Sequence, residues 1–199
     1  MERVRVLMRD DEGQNLVEFA LLLPVLMYIL MGIMQFGLIF AAYLTANNAV
    51  REGARWASIY VYDLTLTVNQ NDDARNTGLL DRLVEGRGIL NMSRTSPGTA
   101  NFAVGTWSSG TNLTGAGAAC PMPADTTLYK WYANGDTLVC YSRPNTVDIS
   151  DPHKGYYLSV EGYYHLQVFM PLLQPFLPDD PAKGSPWIRL PGRITVVVN

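Results

Sequence analysis

Charged residues stop at Glu18 and do not return until Arg51. Within that interval residues 19–40 are almost wholly apolar, broken only by Pro24, Tyr28, Gly32, Gln35 and Gly37. A bilayer core takes about 20 such residues, so the pattern predicts a transmembrane helix. The run is too long for the apolar core of a cleaved signal peptide, which spans about 7–15 residues. Helical spacing continues past the apolar run. Ala42, Ala46, Ala49, Val50, Gly53, Ala54 and Ala57 recur every three or four positions, with Arg51, Glu52 and Arg55 on the other side. From Glu18 to Ala57 such a helix is about 60 Å long, about twice a bilayer core, and so projects beyond the lipid. Ala42, Ala46, Ala49 and Gly53 form a small-residue stripe that lets another backbone come close. That backbone is the chain's own domain, a neighbouring helix, or both.

After Tyr60 the pattern changes. Residues 61–68 alternate loosely, as a short strand or a linker. Asp72-Asp73 reads as a helix start, with Leu79, Leu80, Leu83 and Val84 as the apolar face and Gly86 or Gly88 as the stop. Residues 93–123 are rich in Gly, Ser, Thr, Asn and Ala and read as loop, with a strand over 102–107. Asn134-Gly135 between two aromatic and aliphatic runs is a hairpin signal. As the two central residues of the turn they pair Ala133 with Asp136 and Tyr129 with Cys140. Residues 156–170 alternate: Leu158, Val160, Tyr164, Leu166, Val168 and Met170 on one face, Ser159, Glu161, Tyr163, His165 and Gln167 on the other, with Gly162 as a bulge. Four prolines then punctuate a loop (Pro171, Pro175, Pro178, Pro181), and residues 194–198 close as a β-branched strand. The expected fold class is α+β: a long N-terminal transmembrane helix running into a small extracytoplasmic domain with an antiparallel sheet. The expected division is a cytoplasmic leader-like segment (1–13), the transmembrane and extended helix (14–60) and the outer domain (61–199).

Composition sharpens this picture in three places. The chain of 199 residues carries 17% charged residues and a net charge of −3, with a pI near 5.3. No basic face is implied, so no nucleic-acid partner is expected. The cysteines, Cys120 and Cys140, either pair as a disulfide, which requires an oxidising compartment, or act as two small buried hydrophobes. A disulfide would fold the glycine-rich loop back onto the hairpin. The two histidines, His153 and His165, match no metal or catalytic spacing. Asp72-Asp73 and Asp179-Asp180 read as a cap or a turn rather than a calcium site. No phosphate loop, dinucleotide fingerprint or zinc-protease motif occurs. The expectation is a non-enzyme with no catalytic residue, metal or cofactor. Tyr156, Tyr157 and Trp187 are left open to an interface role.

Two strings carry a family resemblance. Gly13-Gln14-Asn15-Leu16-Val17-Glu18-Phe19-Ala20-Leu21-Leu22-Leu23-Pro24 and Asn47-Asn48-Ala49-Val50-Arg51-Glu52-Gly53-Ala54-Arg55-Trp56-Ala57 resemble the TadE-like family, pilin-related proteins of bacterial tight-adherence pilus systems. The likeness covers about the first 60 residues. It implies cleavage by a prepilin peptidase after Gly13, leaving Gln14 as the new N-terminus and Glu18 as the fifth residue. Glu18 and Phe19 would then serve helix assembly. A carboxylate at the membrane boundary is costly without a partner, and the free amine of a neighbouring subunit supplies one; alternatively Glu18 sits at headgroup level near a helix N-terminus. The resemblance implies a minor pilin or pseudopilin of a surface filament, with membrane lipid and other membrane helices as partners. The alternative is an accessory single-pass subunit of a large membrane complex. Three arginines (Arg3, Arg5, Arg9) before the helix against two (Arg51, Arg55) after it favour an inside N-terminus and a domain on the periplasmic or cell-surface side of the bacterial cytoplasmic membrane.

Overall fold

The computed structural model describes residues 11–149 and 152–199, with only the backbone of residues 11–14. Positions 1–10 of the leader-like segment lie outside the described residues. Helix α1 spans Asp11–Ser58, 48 residues and about 72 Å long. It accommodates Pro24 without ending. Residues 59–67 are a turn-containing linker rather than a strand. Helix α2 follows at Val68–Glu85. It starts four positions before Asp72, because a capping box closes its N-terminus: Gln70 N donates to the Thr67 hydroxyl and Thr67 N donates to the Gln70 side chain, satisfying two donors that helix geometry leaves open.

Five strands follow: β1 (Ser108–Gly110), β2 (Thr126–Asn134), β3 (Thr137–Pro144), β4 (Tyr157–Gln167) and β5 (Trp187–Val197). They form one antiparallel sheet in chain order. The expected strand at 102–107 is replaced by β1, a few residues later. The β2–β3 hairpin turns one residue later than its sequence suggested. Asn134 pairs with Thr137 and Trp131 with Cys140, so the central turn residues are Gly135 and Asp136. The reason is tertiary. Asn134 gives its side chain to the loop at Gly105, accepting from Gly105 N (2.9 Å) and donating to Gly105 O (3.0 Å). Gly135 alone takes the positive φ, +55°, with glycine first in the turn. A Cβ there would meet Ala103 O at 2.2 Å.

Both helices cover one face of the sheet. The core between them contains Leu79, Leu83, Phe102, Val139, Tyr141, Leu158 and Val160, all at most 1% exposed. The closest approach is at two glycines that pair across β4 and β5, Gly162 and Gly192. A Cβ on Gly162 would lie 3.0 Å from Val50 Cγ2, and one on Gly192 would lie 2.9 Å from the same atom and 3.0 Å from Ala46 O. Gly162 therefore serves helix–sheet contact; the register through it is unbroken, with no bulge. Helix α2 is held as tightly. A Cβ on Gly78 would lie 2.1 Å from the Trp56 ring, and one on Gly86 3.1 Å from Ala49 Cα. The opposite face of the sheet carries a smaller core of Cys120, Leu128, Leu138 and Cys140.

Gly162→Val should lower the unfolding free energy by about 1–3 kcal/mol, the usual cost of overpacking, read as a shift in denaturant midpoint. Gly105→Ala, where an added Cβ would come no closer than 4.0 Å to Gly135 N, should leave the midpoint within the range of surface substitutions, about 0.5 kcal/mol.

Candidate functional site

The feature with the clearest functional meaning is α1 itself. Eighteen consecutive residues of its apolar part have a mean hydropathy of 2.3 and none of them is buried by the rest of the chain. Apart from the buried Gln35 and the half-buried Ile39, side chains from Leu16 to Phe40 point outward around the helix, among them Leu21, Ile29, Ile33, Met34 and Phe36, each at least half exposed. Glu18 and Phe19 lie on this free part of the helix. Gly13 and Gln14 sit within the helical backbone; their side chains lie outside the described residues. An apolar surface of this size on one helix requires lipid or other apolar helices around it.

The upper part of α1 is different. Ala42, Ala46, Ala49 and Gly53 are buried against the chain's own sheet and α2, with Ala49 fully enclosed. Of the two packings open to the small-residue stripe, the structure adopts the internal one. Glycines on the receiving side make that packing possible, and they leave no room for a further helix along the same stripe. The part of α1 that stays exposed is the lower, outward stretch that includes Glu18 and Phe19.

Cys120 and Cys140 form a disulfide. It ties the short 3-10 turn Gly115–Ala119 to β3, and Gly117 fits beneath the Trp131 ring, 2.6 Å from where its Cβ would be. Trp131 Nε1 donates to Asn112 O at 2.9 Å.

Two buried polar clusters were not foreseeable from spacing. In the first, Asp72 is 1% exposed. It accepts from the Tyr132 hydroxyl at 2.6 Å and lies 3.3 Å from His153 Nε2. One helical turn on, Asn76 accepts from the Tyr141 hydroxyl at 3.0 Å. Asp72 is thus a strut between α2 and the sheet, not a cap. Burial pushes its carboxyl up, but the His153 and Tyr132 hydrogen bonds and the charges of His153 and Arg75 outweigh that and hold it below the ordinary range. Burial, then the Asp72 hydrogen bond, raises the Tyr132 hydroxyl far above its usual value. His153 stacks on Tyr156, centroids 5.1 Å apart. Tyr156 is fully buried, which removes it from the candidate interface residues. Arg75, also buried, lies over the rings of Tyr60, Tyr62 and Tyr141 at 5.4–5.8 Å, where the ring faces offset part of its desolvation.

In the second cluster His165 bridges two carboxylates, Asp136 through Nε2 (3.0 Å) and Asp180 through Nδ1. Asp180 also accepts from Ala182 N at 2.8 Å, so it forms the expected turn and an ion pair as well. Burial lowers the His165 pKa, yet the hydrogen bonds to Asp136 and Asp180 and their charges raise it overall. Burial raises Asp180, and the His165 hydrogen bond with the Ala182 amide brings it below its ordinary value. Both clusters join elements distant in sequence. Each histidine is 1% exposed, enclosed rather than presented to a cleft. Among the described residues no group of three or more His, Cys, Asp or Glu side chains is placed to hold a metal ion.

Compared with known families, residues 13–55 match the model described as TadE-like protein. The match takes in the first quoted string entire and most of the second, and it bears out the TadE-like resemblance over that stretch. Neither the curated proteins nor the solved structures yield a match.

Two outcomes follow. Replacing both cysteines (Cys120→Ala with Cys140→Ala) should cost about 3 kcal/mol of stability by the chain-entropy model, measured by urea denaturation of the oxidised and variant proteins. The His165 cluster should make stability pH-dependent. Because the folded pKa of His165 is raised, its contribution is complete below the ordinary imidazole value of 6.5 and is lost as pH rises through the higher folded value. Asp180, held low, contributes above 3.8 and loses that contribution only in acid. Urea midpoints should fall as pH rises above 6.5, and His165→Gln should flatten that dependence.

Proposed function

We propose that this chain is a non-enzymatic minor pilin or pseudopilin of a tight-adherence pilus system, working through α1 in the assembly of a surface filament. The observation that carries this reading is the coincidence of the TadE-like match at residues 13–55 with a helix whose apolar surface the chain itself leaves uncovered. A helix that is apolar all round is buried by something else, lipid or protein. A pilin-type subunit uses both in turn, first the bilayer and then neighbouring helices.

In this reading residues 1–13 are a leader on the cytoplasmic side, cleaved after Gly13. Gln14 becomes the new N-terminus and Glu18 its fifth residue. Glu18 then offers a carboxylate to the free amine of an adjoining subunit, a pairing that offsets the cost of a charge at the membrane boundary. The domain lies outside the bacterial cytoplasmic membrane. The disulfide supports that side, since such bonds persist in oxidising compartments, and so does the arginine distribution about the helix. Domain 61–199, clamped to the top of α1, keeps a fixed orientation relative to the helix and would be displayed at a defined angle on whatever α1 joins.

The test is the N-terminus of the protein purified from its own cells. Intact mass should correspond to a chain starting at Gln14. Gly13→Leu should leave the leader in place and deplete the subunit from the sheared filament fraction. Glu18→Ala should permit cleavage but reduce incorporation. A wild-type chain that retains its leader and co-purifies with unlike membrane helices would point instead to a permanent subunit of another complex.

A further inference from the structure

The proline-rich segment after β4 does not stay with the outer domain. It runs down beside the apolar part of α1. Gln35, the one amide-bearing side chain within the apolar run, is 4% exposed, and its Oε1 accepts a hydrogen bond from Phe169 N at 3.2 Å. A Cβ on Gly32 would lie 3.7 Å from Met170 Sδ. Lower still, Tyr28, Pro171 and Leu172 line one shallow hollow. Gly32 sits eight residues below Phe40, the end of the apolar run, about 12 Å at the helical rise. Tyr28 sits twelve residues below Phe40, about 18 Å, so with residues 19–40 matched to a core about 30 Å thick this segment runs from the outer leaflet down to about the midplane.

Its chemistry suits that depth. Residues 168–178 contain no charged side chain; the next charges are Asp179 and Asp180. Phe169, Leu172 and Phe176 turn outward, at 65%, 63% and 80% exposed. Unpaired backbone donors are what keeps irregular chain out of hydrocarbon, and here seven of the eleven positions either lack a donor or pair it. Pro171, Pro175 and Pro178 have none. Val168 N donates to Pro186 O, Phe169 N to Gln35, Leu173 N to Met170 O and Leu177 N to Gln174 O.

We infer that residues 168–178 are a second membrane contact, an apolar wedge running through the outer leaflet against α1, with Phe169, Leu172 and Phe176 facing lipid acyl chains. The occupant is lipid because the surface is continuous with the free apolar face of α1. The inference rests on α1 being a membrane span. The wedge would fix the height and rotation of the domain above the bilayer, since a single helix leaves rotation about its own axis free.

The test places an environment-sensitive fluorophore on the full chain in phospholipid vesicles, at Leu172→Cys, at Tyr28→Cys on α1, and at Leu64→Cys, which is 96% exposed at the far end of the domain. The native disulfide is kept oxidised during labelling. The Leu172 probe should show blue-shifted emission and lose intensity to nitroxide-bearing acyl chains, as the Tyr28 probe does, while the Leu64 probe loses intensity to aqueous iodide. A Tyr28 probe that responds to lipid with a Leu172 probe that responds to iodide would overturn the wedge and spare the anchor. A Leu172 probe reached by neither quencher would overturn it in favour of a protein neighbour, such as a second copy. A Tyr28 probe open to iodide would overturn both.

Discussion

Everything in this molecule hangs on the close contact between the small-residue face of α1 and the glycines opposite it. Ala46 and Val50 approach the sheet where Gly162 and Gly192 stand side by side, and Ala49, Gly53 and Trp56 approach α2 where Gly86, Leu79 and Gly78 stand. Where alanine and glycine meet in this interface, little rotamer freedom is lost in forming the contact. It also gives a single helix two environments. The upper part is a core element of a folded domain. The lower part, among the described residues, is met by the 168–178 segment and is otherwise largely exposed.

The polar interior completes the clamp. Helix α2 reaches the sheet through Asp72–Tyr132 and Asn76–Tyr141, while Asp136 and Asp180 converge on His165 from a hairpin turn and a distant loop. Buried groups of this kind are costly if left unpaired, so each favours one arrangement of the elements it joins. The disulfide acts similarly on the far face. The domain is therefore tied to the helix at several points.

Much of this was legible in the sequence, and what was not has physical reasons. The charge-free interval between Glu18 and Arg51 announced the helix, and the alternation at 156–170 announced β4. The turn at 135–136 was misplaced by one residue because Asn134, a good turn former, is engaged by the backbone of Gly105, a contact that no local pattern records. Helix α2 began earlier than expected because Thr67 and Gln70 cap it, whereas Asp72, which looked like a cap, is a buried strut. Strand β5 runs from Trp187, well before its β-branched stretch. It tolerates Pro191 because it is the edge strand of the sheet, where a missing donor need not break a ladder. The histidine clusters were invisible for the same reason as the turn contact: their partners come together only in the fold. The small-residue stripe was visible, but whether it faced the chain's own domain depended on glycines more than a hundred positions away.

On the proposed function α1 meets other subunits with its lower, outward face and keeps its upper small-residue face for its own domain. Cysteine crosslinking in the native membrane tests it most directly, with single substitutions at exposed positions (Phe19→Cys, Ile29→Cys, Phe36→Cys) and at enclosed ones (Ala46→Cys, Ala49→Cys). Crosslinked subunits should form from the exposed set alone. Crosslinks through Ala46 or Ala49 in folded protein, with none from the exposed set, would contradict it.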